Sequence, residues 1–192
     1  GGQVLEDRNY ENIDNNLFGN YFIKHKNVKN FKLDINEVNK LNLTNVYACI
    51  HLASIANDPM ADLNQSYSWE TSALGTMVLM EQLKKYKVKK IIYASSGSVY
   101  GVKKEKKVNE LTSLEPLTDY SKFKGDCEKI LALFQSKEFT TVTIRPATVC
   151  GYSPRQRLDL VVNILTNLAY HKREITILGG EQLRPNIHIN DM

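Results

Sequence analysis

Residues 91–96, Ile91-Ile92-Tyr93-Ala94-Ser95-Ser96, form a near-continuous apolar run that ends on two serines. A short run of this kind predicts a strand buried on both faces of a parallel sheet. The pattern recurs upstream in Val46-Tyr47-Ala48-Cys49-Ile50-His51-Leu52-Ala53. It recurs downstream in Thr140-Thr141-Val142-Thr143-Ile144-Arg145, which stops at Pro146. Between the first two runs, Trp69, Ala73, Leu74, Met77, Met80 and Leu83 fall at helical spacing and predict a helix from about Tyr67 to Lys85. Between the last two, Phe123, Cys127, Ile130, Leu131 and Phe134 predict another from about Tyr120 to Gln135. Strand, helix, strand, helix, strand with buried strands means an α/β fold, a parallel sheet built from crossover units. Phe31-Lys32-Leu33-Asp34 reads as a weaker strand, and Tyr10 to Asp14 as a weaker one still. After Gly151 come an Arg-rich loop, a helix around Leu158 to Ala169, and Ile175-Thr176-Ile177-Leu178, which together look like the start of a second lobe.

Composition narrows the class. The chain has 192 residues, 42% hydrophobic and 24% charged, with a net charge of +4, enough apolar side chain for a packed core. No apolar run approaches the roughly 20 residues of a membrane-spanning helix. The first residues form no signal peptide. Three cysteines, Cys49, Cys127 and Cys150, stand far apart among apolar neighbours and suggest neither a disulfide framework nor a metal site, so a reducing cytoplasm is expected. Lysines cluster at 84–90 and 103–107. They could form a nucleic-acid patch, but a solvated helix end followed by a solvated loop accounts for both, and no nucleic-acid partner is expected.

In open parallel sheets, ligands sit beyond the carboxyl ends of the strands. Those ends carry His51-Leu52-Ala53-Ser54, Ser95-Ser96-Gly97-Ser98 and Arg145-Pro146-Ala147-Thr148, small and hydroxylated residues that suit a chain wrapping a cofactor. Tyr120 and Lys124, at i and i+4, open the second helix and share one face. An ammonium beside a phenol favours the phenolate, so Tyr120 is expected to titrate below its usual value and serve as a base. Tyr86/Lys90 and Tyr100/Lys104 have the same spacing, but the first straddles a helix end and the second lies in a loop. Ser96 can hydrogen-bond the same substrate oxygen. A solvent-facing Tyr–Lys pair is the competing reading.

These residues carry a family resemblance. Tyr93-Ala94-Ser95-Ser96-Gly97-Ser98-Val99-Tyr100-Gly101, Tyr120-x-x-x-Lys124 and Arg145-Pro146-Ala147-Thr148-Val149-Cys150-Gly151 closely resemble the extended short-chain dehydrogenase/reductases, in particular the NAD-dependent epimerase/dehydratase group acting on nucleotide-diphosphate sugars. Ile50-His51-Leu52-Ala53 resembles that group's fourth strand, and Arg184-Pro185-Asn186-Ile187-His188-Ile189-Asn190-Asp191 its Arg-x-x-Ile-His-x-x-Asp stretch. The resemblance implies a Rossmann-like doubly wound sheet, with residues 1–151 as the NAD-binding domain and 152–192 as the beginning of a nucleotide-sugar lobe. It implies Tyr120 as base, Lys124 as the group that tunes it and holds the nicotinamide ribose, and Ser96 as the group that orients the sugar hydroxyl. Asp14 would take the adenosine ribose, Asp34 and Ile35 would lie beside the adenine, and Leu52, Ala53 and Ser54 would run along the dinucleotide. Ser96, Ser98, Thr148, Arg155, Arg157 and Arg184 would meet the substrate, the arginines at its diphosphate. For Arg155 and Arg157 a solvated loop is the competing reading. A homodimer is expected by analogy.

The departures also inform. Gly97-Ser98 stands where dehydratases of the group place Asp-Glu, so 4,6-dehydration is not expected. Ser72 and Thr148 stand where the group often has Asn. The glycine fingerprint G-x-x-G-x-x-G is represented only by Gly1-Gly2, running into Gln3-Val4-Leu5-Glu6-Asp7, and strand one is absent. The chain is therefore expected to be incomplete at both ends. The function implied is epimerisation at sugar C4 by hydride transfer to NAD. A nucleotide-sugar 4-ketoreductase or 4-dehydrogenase is the alternative within that chemistry, and a non-catalytic nucleotide-binding or partner subunit the alternative outside it.

Overall fold

The computed structural model describes residues 26–192 except Asn57, Lys106 and 154–156. The expected strand at Tyr10 to Asp14, and with it Asp14, lies outside the described residues, as does Arg155. The chain divides into two compact units, Gly1–Lys32 with Ser153–Gln156, and Leu33–Tyr152 with Arg157–Met192. All regular elements described belong to the second.

The three buried runs form one parallel sheet in the order β1 (Ala48–His51), β2 (Lys90–Ala94), β3 (Thr140–Ile144). Ile91 stands opposite both Cys49 and Thr141, and Tyr93 opposite both His51 and Thr143. Alternation along β2 sends Ile91 and Tyr93 into a core with Met80, Leu83, Cys127 and Leu131 from the two crossover helices. Fully burying each large apolar side chain there contributes about 1.5–3 kcal/mol. The residues between them face the other way, where Ile50 and Val142 are exposed.

The first crossover is a broken helix: α1 (Asp58–Leu63), α2 (Gln65–Trp69), a π-helical turn at Glu70–Leu74, then α3 (Gly75–Lys85). Asn64 caps α2 through its side chain, which accepts from the Tyr67 amide at 2.9 Å. Lys84 and Lys85 close α3, where cations complement the helix dipole. The second crossover is α4 (Asp119–Phe134). Thr118 and Ser121 form a capping box: the Thr118 hydroxyl accepts from the Ser121 amide at 3.2 Å, and the Ser121 hydroxyl accepts from the Thr118 amide at 3.0 Å. Ser121, Lys124, Gly125, Cys127 and Leu131 are its buried residues.

Phe31–Asp34 forms no strand. The Asp34 carboxylate accepts from the Asn36 amide at 2.8 Å and caps a 3₁₀ helix, Ile35–Lys40, with Asp34 itself in extended backbone. The second lysine run is not simply solvated either. The Lys103 side chain is 6% exposed, paired to Glu115 and bonded to Ser113. Beyond β3, β4 (Thr148–Cys150) pairs in parallel with β5 (Asn186–His188), and α5 occupies Val161–Lys172, slightly later than the spacing predicts. No helix among the described residues is long and apolar enough to cross a membrane.

Gly101 closes the turn that follows β2. Its φ of +70° and a Cβ position 2.1 Å from the Glu115 carbonyl oxygen leave no room for a side chain. Gly101→Ala should therefore cost about 2–4 kcal/mol, a left-handed penalty plus a backbone clash, and lower Tm by roughly 4–16 °C. Thermal melts monitored by circular dichroism measure it; a variant melting with the wild type would mean the turn relaxes freely.

Candidate active site

Ser96 directly follows β2 and caps the 3₁₀ turn Gly97–Tyr100. Its hydroxyl oxygen accepts from the Ser98 amide at 3.2 Å and from the Ser98 hydroxyl at 2.9 Å. With two bonds accepted, its own proton is left to donate, and Ser96 acts on the Tyr120 phenol to lower its pKa. The adjacent Ser95 is a different case: it is buried, and its hydroxyl is taken by the Glu128 carboxylate. Ser96 is the serine the sequence reading selects, and its neighbour is engaged elsewhere.

Tyr120 and Lys124 share one face of α4, as their spacing predicts. The Lys124 ammonium, 4% exposed as a residue, donates to the Ala94 carbonyl at the end of β2 at 2.8 Å. It lies 5.0 Å from the Tyr93 ring centre and 5.8 Å from that of Tyr120. Burial lowers its pKa to about 8. Tyr120 behaves otherwise than expected. Burial raises its pKa; the Ser96 bond lowers it, the Asp58 charge raises it, and Arg157 lowers it. Lys124 points its charge at a carbonyl instead of the phenol oxygen, so desolvation prevails.

Asp58, at the start of α1, was not singled out by the sequence. One of its carboxylate oxygens is buried without a hydrogen-bond partner among the described residues. It acts on Tyr120 through space, and no spacing rule relates residues so far apart in sequence. Behind Lys124, His51 is buried and its pKa is lowered to about 4 by burial and the neighbouring ammonium. It meets Thr76 at 2.9 Å, and the Thr76 hydroxyl donates onward to the Ser72 carbonyl.

The other predicted residues are distributed around this centre. Leu52 and Ala53 are exposed beyond β1, and Ser54 is half-buried, its hydroxyl 3.3 Å from that of Ser72. The Ser72 oxygen also accepts from the Ile55 amide at 3.4 Å, so the π-turn ties down the loop after β1. Asp34 is spent on its cap, and Ile35 packs on the core. Arg157 forms a two-point ion pair with Asp159, at 3.1 and 2.6 Å, and still exerts its charge on Tyr120. Thr148 opens β4 and bonds the Pro185 carbonyl at 3.2 Å, which brings exposed Arg184 into its neighbourhood. Arg184 itself makes no described side-chain hydrogen bond with Ser96, Tyr120 or Lys124.

The sequence profile of the NAD dependent epimerase/dehydratase family matches residues 8–192. The chain belongs to that family. It is 36% identical over 115 residues to an uncharacterized UDP-glucose epimerase, YtcB, of Bacillus subtilis, covering 59% of this chain and 35% of that one. It is 27% identical to a dTDP-D-glucose 4,6-dehydratase of Dictyostelium discoideum, covering all of this chain and 43% of the other. Among solved structures it resembles the UDP-glucuronic acid 4-epimerase of Bacillus cereus in complex with UDP-glucuronic acid and NAD. There the TM-score is 0.66 at 26% identity, over 82% of this chain and 49% of the other. The chain thus spans about a third to a half of the length of these relatives. Family membership bears out the resemblance to the extended short-chain dehydrogenase/reductases, and the structural likeness bears out the Rossmann-like parallel sheet.

Proposed function

We propose that the protein is an NAD-dependent nucleotide-sugar epimerase acting at sugar C4, with residues 1–151 binding the dinucleotide and 152–192 beginning the sugar-nucleotide lobe. The observation that carries this reading is the meeting of Ser96, Tyr120 and Lys124 at the carboxyl end of β2. The residues fit a dinucleotide. The loop Leu52–Ser54 leaves its apolar side chains open beyond the carboxyl end of β1, where a ligand of such a sheet sits. Lys124 would hold the nicotinamide ribose, Leu52, Ala53 and Ser54 the dinucleotide, and Asp34 and Ile35 the adenine side. Bound NAD supplies the hydride acceptor, the part of the chemistry that no side chain can supply.

The chain's own groups do the proton work. Ser96 directs a hydrogen bond at the reacting hydroxyl, Tyr120 takes its proton, and the Lys124 ammonium, beside the Tyr120 ring, would favour the anionic form of the phenol over the neutral one once substrate and dinucleotide are bound. Ser98, Thr148, Arg155, Arg157 and Arg184 would position the sugar nucleotide, guanidinium forks matching phosphate oxygens. Resemblance to a 4,6-dehydratase does not extend to Gly97-Ser98, which carries no acid or base to move a proton at a second carbon. A 4-ketoreductase or 4-dehydrogenase uses the same three residues, and the test separates them.

Protein denatured and examined by mass spectrometry should release NAD, and incubation with UDP-glucose, UDP-glucuronic acid and UDP-N-acetylglucosamine should yield a C4 epimer of at least one without added reductant. Turnover only with stoichiometric NAD or NADH would replace the epimerase by the dehydrogenase or reductase. The absence of both NAD and turnover would overturn the enzymatic reading.

A further inference from the structure

Glu128 continues the face of α4 that carries Tyr120 and Lys124, one turn further on. Its side chain is 9% exposed, yet it is fully engaged. The carboxylate accepts from the Ser95 hydroxyl and from Arg145 at 3.0 Å and 3.2 Å through Nε and at 2.6 Å through Nη2. Arg145, whose side chain is 19% exposed, directly follows β3. Its remaining nitrogen, Nη1, donates to the Tyr100 hydroxyl at 2.9 Å and lies 3.4 Å from the Glu110 carbonyl, with the guanidinium 5.0 Å from the Tyr100 ring centre.

This one ion pair therefore grips the chain on both sides of Ser96: at Ser95, immediately before it, and at Tyr100, the end of the turn that Ser96 caps. It grips the helix that carries Tyr120 and Lys124 as well. Burying two charges is expensive, and an apolar pair of equal volume would serve stability as well or better. What an apolar pair could not supply is direction. The guanidinium fork fixes α4 against β3 in register, and the second carboxylate bond fixes β2 against both.

We propose that Glu128 and Arg145 are positioning residues that set the placement of Ser96 relative to Tyr120 and Lys124. Its catalytic consequence rests on the function proposed above. Neither residue is a catalytic residue: each acts through the bonds it makes to neighbours of the reacting groups.

Glu128→Gln and Arg145→Lys in the full chain test it. Each should lower kcat about 10–100-fold with KM changed less than about threefold, since alignment of reacting groups is lost while binding contacts stay. Combined, they should cost little more than either alone, because one linkage is broken twice. Asp126→Asn removes an exposed ion pair of the same helix, to Lys129, and should leave kcat unchanged. Hydrogen–deuterium exchange gives a readout free of activity: residues 118–124 should exchange faster in both variants, ahead of residues 131–134. Should Glu128→Gln not fold, Arg145→Lys carries the same test. Lower Tm with kcat and the exchange of residues 118–124 unchanged would make the pair a structural brace and overturn the proposal. A wild type without NAD or turnover would overturn the proposed function only, and the exchange result alone would then decide the positioning role.

Discussion

Tyr120→Phe is expected to lower turnover by about 10²–10⁴-fold, roughly 3–5 kcal/mol of transition-state stabilisation, with the fold intact. The ring keeps its place at the start of α4, and what is removed is the phenol hydroxyl on which Ser96 acts. Tm should stay within a few degrees. The pH profile sharpens the test. A base must be deprotonated to act, and burial raises the Tyr120 pKa above its ordinary value. In the free protein the phenol therefore holds its proton through the neutral range, and kcat/KM should climb with pH on the alkaline side. Tyr120→Phe should abolish that climb along with the activity. Steady-state rates from neutral to alkaline pH measure both. Full activity in the variant would remove Tyr120 from the mechanism.

The parts of the site legible in the sequence are those whose signal is periodic or sequential. Three apolar runs with helices between them define β1, β2 and β3; Ser96 stands just beyond one strand end, and the i, i+4 spacing sets Tyr120 and Lys124 on one face of the helix that follows. What escaped is interaction across the fold. Glu128 is a charge on a helix, and charge on a helix reads as solvent-facing; only tertiary structure sets Ser95 and Arg145 against it. Asp58 reaches Tyr120 through space from another helix. The π-turn at Glu70–Leu74 is invisible to a 3.6-residue template, which describes residues 67–85 as one helix, although the turn is what aims Ser72 at the loop after β1. Phe31–Asp34 has the alternation of a strand, Phe31 and Leu33 with Lys32 and Asp34, but it leads instead into the 3₁₀ helix that Asp34 caps. The phenol pKa departs from expectation for an energetic reason. Helical spacing brought the ammonium near, but the Ala94 carbonyl took it, and burial decided the sign.

Lys124→Met should separate function from stability. Methionine matches the lysine stem in length, so packing between α4 and β2 is retained. Turnover should fall about 10²–10⁴-fold, comparable to losing the base, because the cation beside Tyr120 is gone. Affinity for NAD, read by calorimetry, should fall with it. Stability should move the other way. The folded-state pKa of Lys124 lies near 8, below the ordinary lysine value of 10.5, so below pH 8 the protein pays to keep a charge in a buried place. Between those two values the unfolded chain binds more protons than the folded one, and this residue's contribution to stability rises with pH. At neutral pH the variant is free of that cost. It should melt a few degrees above the wild type, less whatever the Ala94 bond contributes, about 1.5–3 kcal/mol for a charged donor. As pH rises from about 8 toward 10, the wild type should close the gap on the variant, whatever the buried tyrosines and cysteines common to both contribute. Parallel melts of the two proteins across that range measure the difference directly. A variant that is less stable at neutral pH by a margin that narrows as pH rises would mean that the ammonium is held chiefly for structure. A variant that is inactive yet more stable would show that the fold bears this charge for the chemistry.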